Sequence, residues 1–378
     1  MRGLDLVLIA ALTLAACTLV DRGARVDVEP EGGEGEGAAR LDPAGEGEGD
    51  VVGEGEGDVL GEGEGEGDVV GEGEGEGEGE GDVLGEGEGE GDIAEGEGEM
   101  EAPAFFFAVG YGGRRLTSLD GHVWQNDHSD VAHGGDDDDL LRDACFGHGV
   151  YLAVGGSRVG RMLTTTDGVD YSQFTDDRGW LGGCAFGNGM FVAVGSDRSI
   201  RSLDDGVTWT DPTTQRVGGL NWQARDLAFG AGRFVAAGDH GLSTSIDGVA
   251  WSTPTGPSME HVAFGRGIWI ALGDGSRGRS TDGVHWTFEG GGGRDVVFDG
   301  ERFVSVGGFG VQTSSDGVAW QQQPGPGQEL VAYGRGVYVG ATWSNRRRAS
   351  NDLVGWSEVG SDDGNALAAL VFGGDPPP

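Results

Sequence analysis

Arginine is the residue type whose placement in this chain most invites chemistry. Residues 101–378 hold 20 arginines and no lysine. Eleven of them fall in segments that join the second and third strands of a recurring unit: Arg114, Arg115, Arg158, Arg161, Arg198, Arg201, Arg277, Arg279, Arg346, Arg347 and Arg348. A guanidinium presents a rigid fork of donors that grips a carboxylate through two parallel hydrogen bonds. A ring of such forks would hold an acidic sugar or an acidic peptide. The competing reading is a solvated rim that offsets Asp130, Asp136 to Asp139, Asp176 and Asp197 nearby. Trp180, Trp222 and Trp343 lie in the same loops, where an aromatic face either stacks on a sugar or caps a hydrophobic core. The ligand-binding candidates are therefore Arg114, Arg115, Arg158, Arg198, Arg277, Arg346, Arg347 and Arg348 with these three tryptophans.

Other chemistries find less support. The stretch from His128 to Asp143, with His133 and four consecutive aspartates, lacks the ligand spacing of a metal loop and reads as solvated charge. No nucleophile motif, zinc spacing or phosphate-cradling loop occurs, and no metal or cofactor is expected. A glycosidase needs two carboxylates across a cleft, and among the many aspartates none stands out. Residues 1–100 carry a net charge of −27 and residues 101–378 a net of −14. A balance this acidic argues against nucleic acid, which requires a clustered positive field.

The elements that would position these side chains follow from a repeat. Asp-Gly-x-x-Trp, or a close variant, begins at Asp120, Asp167, Asp205, Asp247, Asp282, Asp316 and Asp352. Four residues later stands Trp124, Tyr171, Trp209, Trp251, Trp286, Trp320 or Trp356. The period averages about 39 residues, the length of one propeller blade. In the fourth copy, residues 226–230, 233–238, 242–246 and 249–253 read as four short strands separated by Gly and Asp turns. Asp accepts from amides two residues on, and Gly takes the positive φ of a tight turn. The first copy lacks a first strand, and residues 366–373 match the missing one. The expected fold is thus all-β: a seven-bladed β-propeller of four-stranded blades, with the C-terminal strand joining the first blade. Closure of this kind removes exposed sheet edges.

Ser118, Thr165, Ser245, Ser280, Ser314 and Ser350 precede the Asp by two residues, and Ser202-Leu203-Asp204-Asp205-Gly206-Val207-Thr208-Trp209 is one residue longer. Together these copies resemble the Asp-box, the bacterial neuraminidase repeat of sialidase-like propellers, over residues 104–378. The last copy departs from it with Leu353 in place of Gly. The resemblance implies that the boxes brace the blades on the face opposite the ligand entrance. Sialidases of this family use an arginine triad, a Tyr–Glu pair and an acidic Asp. Neither the arginine motif near the domain start nor a Tyr–Glu pair is found here.

At the N-terminus, Arg2 precedes an apolar run, Leu6 to Ala16, too short to span a bilayer. It ends in Leu14-Ala15-Ala16-Cys17, which resembles the lipobox of bacterial lipoproteins and implies acylation of Cys17. Thr18 is not the Asp of inner-membrane retention, which points to the outer membrane or cell surface. Residues 31–99 alternate Gly and Glu with almost no apolar mass to offset ordering entropy. They read as a disordered tether of roughly 45–50 Å root-mean-square span. The expected organisation is a signal peptide (1–16), an acylated N-terminus with a Gly/Glu linker (17–103) and the propeller (104–378). Cys145 and Cys184 lie on first strands of successive blades, on opposite sheet faces, so they either meet as a disulfide or point apart.

The expectation is an envelope- or surface-tethered, monomeric protein whose propeller binds a protein or glycan at its entrance face, touching the membrane through its anchor alone. The rival is a sialidase-like glycoside hydrolase at the central-channel entrance, and a third possibility is a surface protein without a ligand. Acids and arginines converging in the entrance favour the hydrolase; a flat, variable rim favours the binding module.

Overall fold

The structure, a computed structural model, describes residues 104–131, 137–210, 222–362 and 364–374. Cys17, the apolar run before it, the Gly/Glu stretch, His133 and Asp136 lie outside the described residues.

Short apolar segments bounded by Gly and Asp fold into seven antiparallel sheets. Five of these have four strands; blade 2, for example, comprises Leu141–Gly147, Val150–Gly156, Gly160–Thr165 and Ser172–Asp176. Among the described residues, the outer edge of blades 3 and 4 is held by single bridges, Arg201 with Thr210 and Leu242 with Thr255. Residues 249–253, expected as a strand, fall short of one. Val249 and Ala250 are consumed by the turn, and Pro254 has no amide to donate. Ser252 holds this segment to the third strand: its N donates to Thr244 O (2.9 Å), its Oγ accepts from Thr244 N (3.0 Å) and its carbonyl accepts from Ser243 Oγ (2.6 Å).

The inner strands pack side by side around a central channel. The chain closes this ring as expected: Leu367–Phe372 pairs antiparallel with Phe106–Gly110, Phe372 opposite Phe106 and Leu370 opposite Ala108. It lies between the inner strands Leu330–Gly334 of blade 7 and Leu141–Gly147 of blade 2. Tyr151 of blade 2 latches the seam, donating to Phe105 O (3.0 Å) while accepting from Phe105 N (2.8 Å). The core is distributed between blades. One cluster joins Phe105, Phe107 and Val109 to Leu141, Tyr151 and Ala153, and comparable clusters fill the other seams.

Phe-Gly ends most inner strands for a steric reason. A Cβ on Gly147 would lie 2.0 Å from the Phe186 ring, and one on Gly187 2.1 Å from that of Phe229. The aromatic ring of the next blade occupies the space a side chain would need. Blade 6 departs from this, with buried Asp299 accepting from Tyr338 Oη and from its own Arg302.

Each Asp-Gly turn is closed by local hydrogen bonds. In the sixth, Gly317 N donates to Ser314 Oγ (2.9 Å), Val318 N and Ala319 N donate to Asp316 Oδ1 (2.8 and 2.9 Å), and Trp320 Nε1 donates to Gly317 O (3.3 Å). Tyr171 replaces the indole with a hydroxyl that makes the equivalent bond to Gly168 O (3.0 Å). In the third copy the turn carboxylate is Asp204, which accepts from Thr208 N (2.8 Å). Asp205 instead takes a positive φ of 58° and faces His148 at 2.9 Å. Leu353 adopts φ 66° where the other short copies have Gly, and its side chain is fully buried. A disulfide joins Cys145 and Cys184 across blades 2 and 3, with Cα atoms 5.8 Å apart.

Candidate functional site

The inner strands share one register, and counting back from their aromatic residue locates the site. Four positions before it stand Arg142 (blade 2), Gly182, Arg225, Glu260, Arg294, Glu329 and Ala368 (blade 1). All seven line a cavity of about 430 Å³ at one end of the channel, with Trp180, Gln223, His261 and Trp343. The connections between second and third strands border this end: Arg142 Nε donates to Gly156 O (3.1 Å), just past strand Val150–Gly156. The opposite end carries the first hairpins and the Asp-Gly turns, where His148 meets Asp205.

Within the mouth, Arg294 lies between two carboxylates, 3.8 Å from Glu260 and 3.6 Å from Glu329. The Arg142 guanidinium lies over the Trp180 ring at 5.1 Å, close enough for a cation–π attraction. Arg225 is exposed and has no ion-pair partner among the described residues. Trp343 keeps 53% of its surface exposed.

One residue deeper, Asp143, Asp226, His261 and Asp295 form a second layer in a channel cavity of about 670 Å³. Each aspartate stitches its blade to the next by accepting an inner-strand amide: Cys184 N to Asp143 (2.8 Å), Val262 N to Asp226 (2.7 Å) and Val331 N to Asp295 (2.8 Å). His261 Nδ1 lies 3.8 Å from both Asp226 and Asp295. Desolvation pushes all three carboxyl groups above their ordinary range, and for Asp143 the charge of Asp226 adds to it. Asp226 and Asp295 keep 17% side-chain exposure, so the low-polarity channel wall, more than complete loss of water, causes this. Deeper still, Phe146, Phe186, Phe229, Phe298, Tyr333 and Phe372 line the channel. Among the described residues no group of three or more His, Cys, Asp or Glu is arranged to hold a metal.

Of the candidates drawn from sequence, Trp180 and Trp343 line the mouth. Trp222 does not: it is fully buried in the core between blades 3 and 4. None of the eight arginines lines it either; most pair with carboxylates of their own blade or stack on an aromatic of the next. Arg114, 2% exposed, pairs with Asp127 (2.6 Å) and Asp362 (2.9 Å), and Arg347 with Asp362 (2.8 Å). Arg198 pairs with Asp176 (2.8 Å) and Arg115 with Asp130 (3.0 Å). Arg115, Arg277 and Arg347 also lie over the turn aromatic of the following blade: Tyr171 at 4.7 Å, Trp320 at 3.9 Å and Trp124 at 5.6 Å. Arg158 and Arg346 are exposed and pair with Asp138 (2.6 Å) and Glu358 (3.2 Å). Arg348 sits in strand Arg347–Ser350, opposite Gly340 and Glu358.

The mouth residues themselves were missed by sequence reasoning, yet they leave a mark. Arg142-Asp143, Arg225-Asp226 and Arg294-Asp295 repeat one charged dipeptide at one register of three otherwise apolar strands.

No protein-family model matches the chain, and no curated protein matches it significantly. Solved structures of similar shape include the computationally designed Ika8 protein, at 12% identity over 71% of this chain and 90% of that one, with a TM-score of 0.49. YCF48 from Cyanidioschyzon merolae is 16% identical over 64% of this chain and 90% of its own, with a TM-score of 0.49. YCF48 bound to D1 peptide is 22% identical over 58% and 77%, with a TM-score of 0.45.

Proposed function

We propose that this protein is a non-catalytic binding module that takes a protein or glycan partner at the mouth of its channel. One observation carries the reading: five charged side chains from a single strand register and two tryptophans converge on one cavity of about 430 Å³. Such convergence of polar groups and aromatic faces on a concave surface is the usual form of a ligand site. The carboxylates beneath are occupied by amides of the neighbouring blade, which supports a structural role for them.

A second reading, a sialidase-like hydrolase of the Asp-box family, draws on the same convergence of acids and arginines in the entrance. It needs a tyrosine nucleophile, and among the described residues no tyrosine lines the mouth cavity. A screen of glycans, exopolysaccharides and peptides against the full chain, run beside a sialidase-type assay, separates the two. Retention of a ligand without turnover supports the module; turnover that disappears in Arg225→Ala overturns it.

The tethering belongs to the same proposal: a signal peptide over residues 1–16, acylation at Cys17 and a Gly/Glu spacer before a propeller domain at 104–378. The Cys145–Cys184 disulfide supports export, since such bonds persist in oxidising compartments. We place the protein at the outer membrane or cell surface, as a monomer. Cys17→Ser is expected to move it from the membrane to the soluble fraction; unchanged fractionation would count against the anchor.

A further inference from the structure

The two sides of the mouth differ in sign. On blades 2 to 4 the charged side chains at the mouth register are Arg142 and Arg225, separated by Gly182. On blades 5 to 7 they are Glu260, Arg294 and Glu329, and the single arginine lies between both glutamates. One side therefore carries two positive charges and the other a net negative one.

The aromatic residues divide in the same way. Trp180 already has a cation over its ring, since Arg142 lies 5.1 Å from the centroid. Trp343 is 53% exposed, shares the cavity with Glu329, and has no cation over its ring among the described residues. An exposed indole beside carboxylates attracts an ammonium or guanidinium group, whereas two arginines attract a carboxylate. The aspartates one layer down are tied to neighbouring amides, and burial favours their neutral form, so the charges at the mouth register set the division.

Resting on the reading of the mouth as a binding site, we propose that its ligand is a mixed-charge peptide segment. An acidic side chain lies towards Arg142 and Arg225, and a basic side chain lies towards Glu260, Glu329 and Trp343. A uniformly anionic glycan meets repulsion from the glutamates, and a uniformly basic strand meets it from the arginines. A protein supplies both signs within a few residues, and the cavity fits a short segment better than a folded surface.

The test uses the full chain against an array of blocked pentapeptides with glutamate and lysine in every order, with oligogalacturonate as the anionic glycan. Peptides carrying both charges are expected to bind roughly tenfold or more tightly than all-glutamate or all-lysine ones. Arg225→Glu is expected to shift the preference towards all-lysine peptides, and Glu329→Lys towards all-glutamate peptides. A misfolded variant would not show such opposite shifts, and a thermal melt checks each fold. Oligogalacturonate or all-glutamate peptides binding the native chain as tightly as mixed ones would overturn the mixed-charge assignment and leave the binding reading standing. Failure of every probe to bind would overturn both.

Discussion

The two ends of the propeller are built on opposite rules. At the turn end each blade repeats one solution: a hydroxyl and a carboxylate take up the backbone amides of an Asp-Gly turn, and an aromatic side chain closes it. At the mouth the same strand position is Arg, Gly, Arg, Glu, Arg, Glu and Ala in successive blades. Repetition there would have given a ring of like charges. The contrast separates residues that hold the ring together from residues that differ blade by blade, and the proposed binding site draws on the latter. Changes at repeated positions should therefore move stability, and changes at the mouth should move binding.

The largest effect is expected where a seam is covalent. The Cys145–Cys184 bond closes a loop with a sequence separation of 39, so replacing both by Ser is expected to lower unfolding free energy by about 3–4 kcal/mol. Denaturant melts with and without reductant measure this, and ligand capture should survive. Next comes Gly230→Ala, whose methyl would lie 2.2 Å from the Phe264 ring; about 1–3 kcal/mol should be lost to overpacking. Gly290→Ala, which meets nothing within 4 Å, serves as its control. Equal melting of the two would break the steric account of the Phe-Gly pairs.

Acid sharpens the comparison further. Burial pushes Asp362 upward, but Arg114 and Arg347 outweigh it and hold its carboxyl at about 2. Arg178 and Arg198 likewise hold Asp176 at about 2, against desolvation. The folded state then binds fewer protons than the unfolded chain between that value and the ordinary 3.8. Stability from these pairs is full above the ordinary range and disappears as pH falls through about 2. Asp362→Asn should remove about 1–2 kcal/mol at neutral pH, after screening, and flatten the acid limb of a pH-dependent melt. Asp143, Asp226 and Asp295 have the opposite sign. Their contribution is present below the ordinary carboxyl range and lost as pH rises through their raised folded values.

A finer test lies within one turn. Asp204→Ala should lower the melting temperature, because Thr208 N loses its acceptor, whereas Asp205→Asn, which tolerates the same positive φ, should leave it unchanged. The smallest stability change is expected for exposed Arg225→Ala, within about 0.5 kcal/mol, accompanied by loss of ligand capture. A large loss of stability there would place Arg225 among the structural residues and erase the contrast between the ends.

How much of this was legible in the chain depends on whether the cause was local. The Asp-Gly turns make their hydrogen bonds within about four residues, so their spacing announced the blades. Residues 366–373 completed a pattern that the first copy lacked, and so revealed the closure. For the arginines, the rim aspartates read from the sequence do serve as partners: Asp130 for Arg115, Asp138 for Arg158 and Asp176 for Arg198. Other partners are distant in sequence. Arg277 lies over Trp320 and Arg114 pairs with Asp362, and neither contact leaves a trace in local spacing. In the third copy the longer spacing Ser202-x-Asp204-x-Gly206-x-Thr208-Trp209 already set Asp204 apart from Asp205, and the turn hydrogen bonds follow that spacing.

By itself, then, the sequence determined the three inner strands of each blade, the turns, the blade number and the route by which the ring closes, because each rests on contacts inside one repeat or on matching one repeat to another. Tertiary structure alone decided which charges meet at the mouth. Arg142, Arg225, Glu260, Arg294 and Glu329 are spread over nearly 190 residues of chain, and they become neighbours because the inner strands hold one register around a common axis.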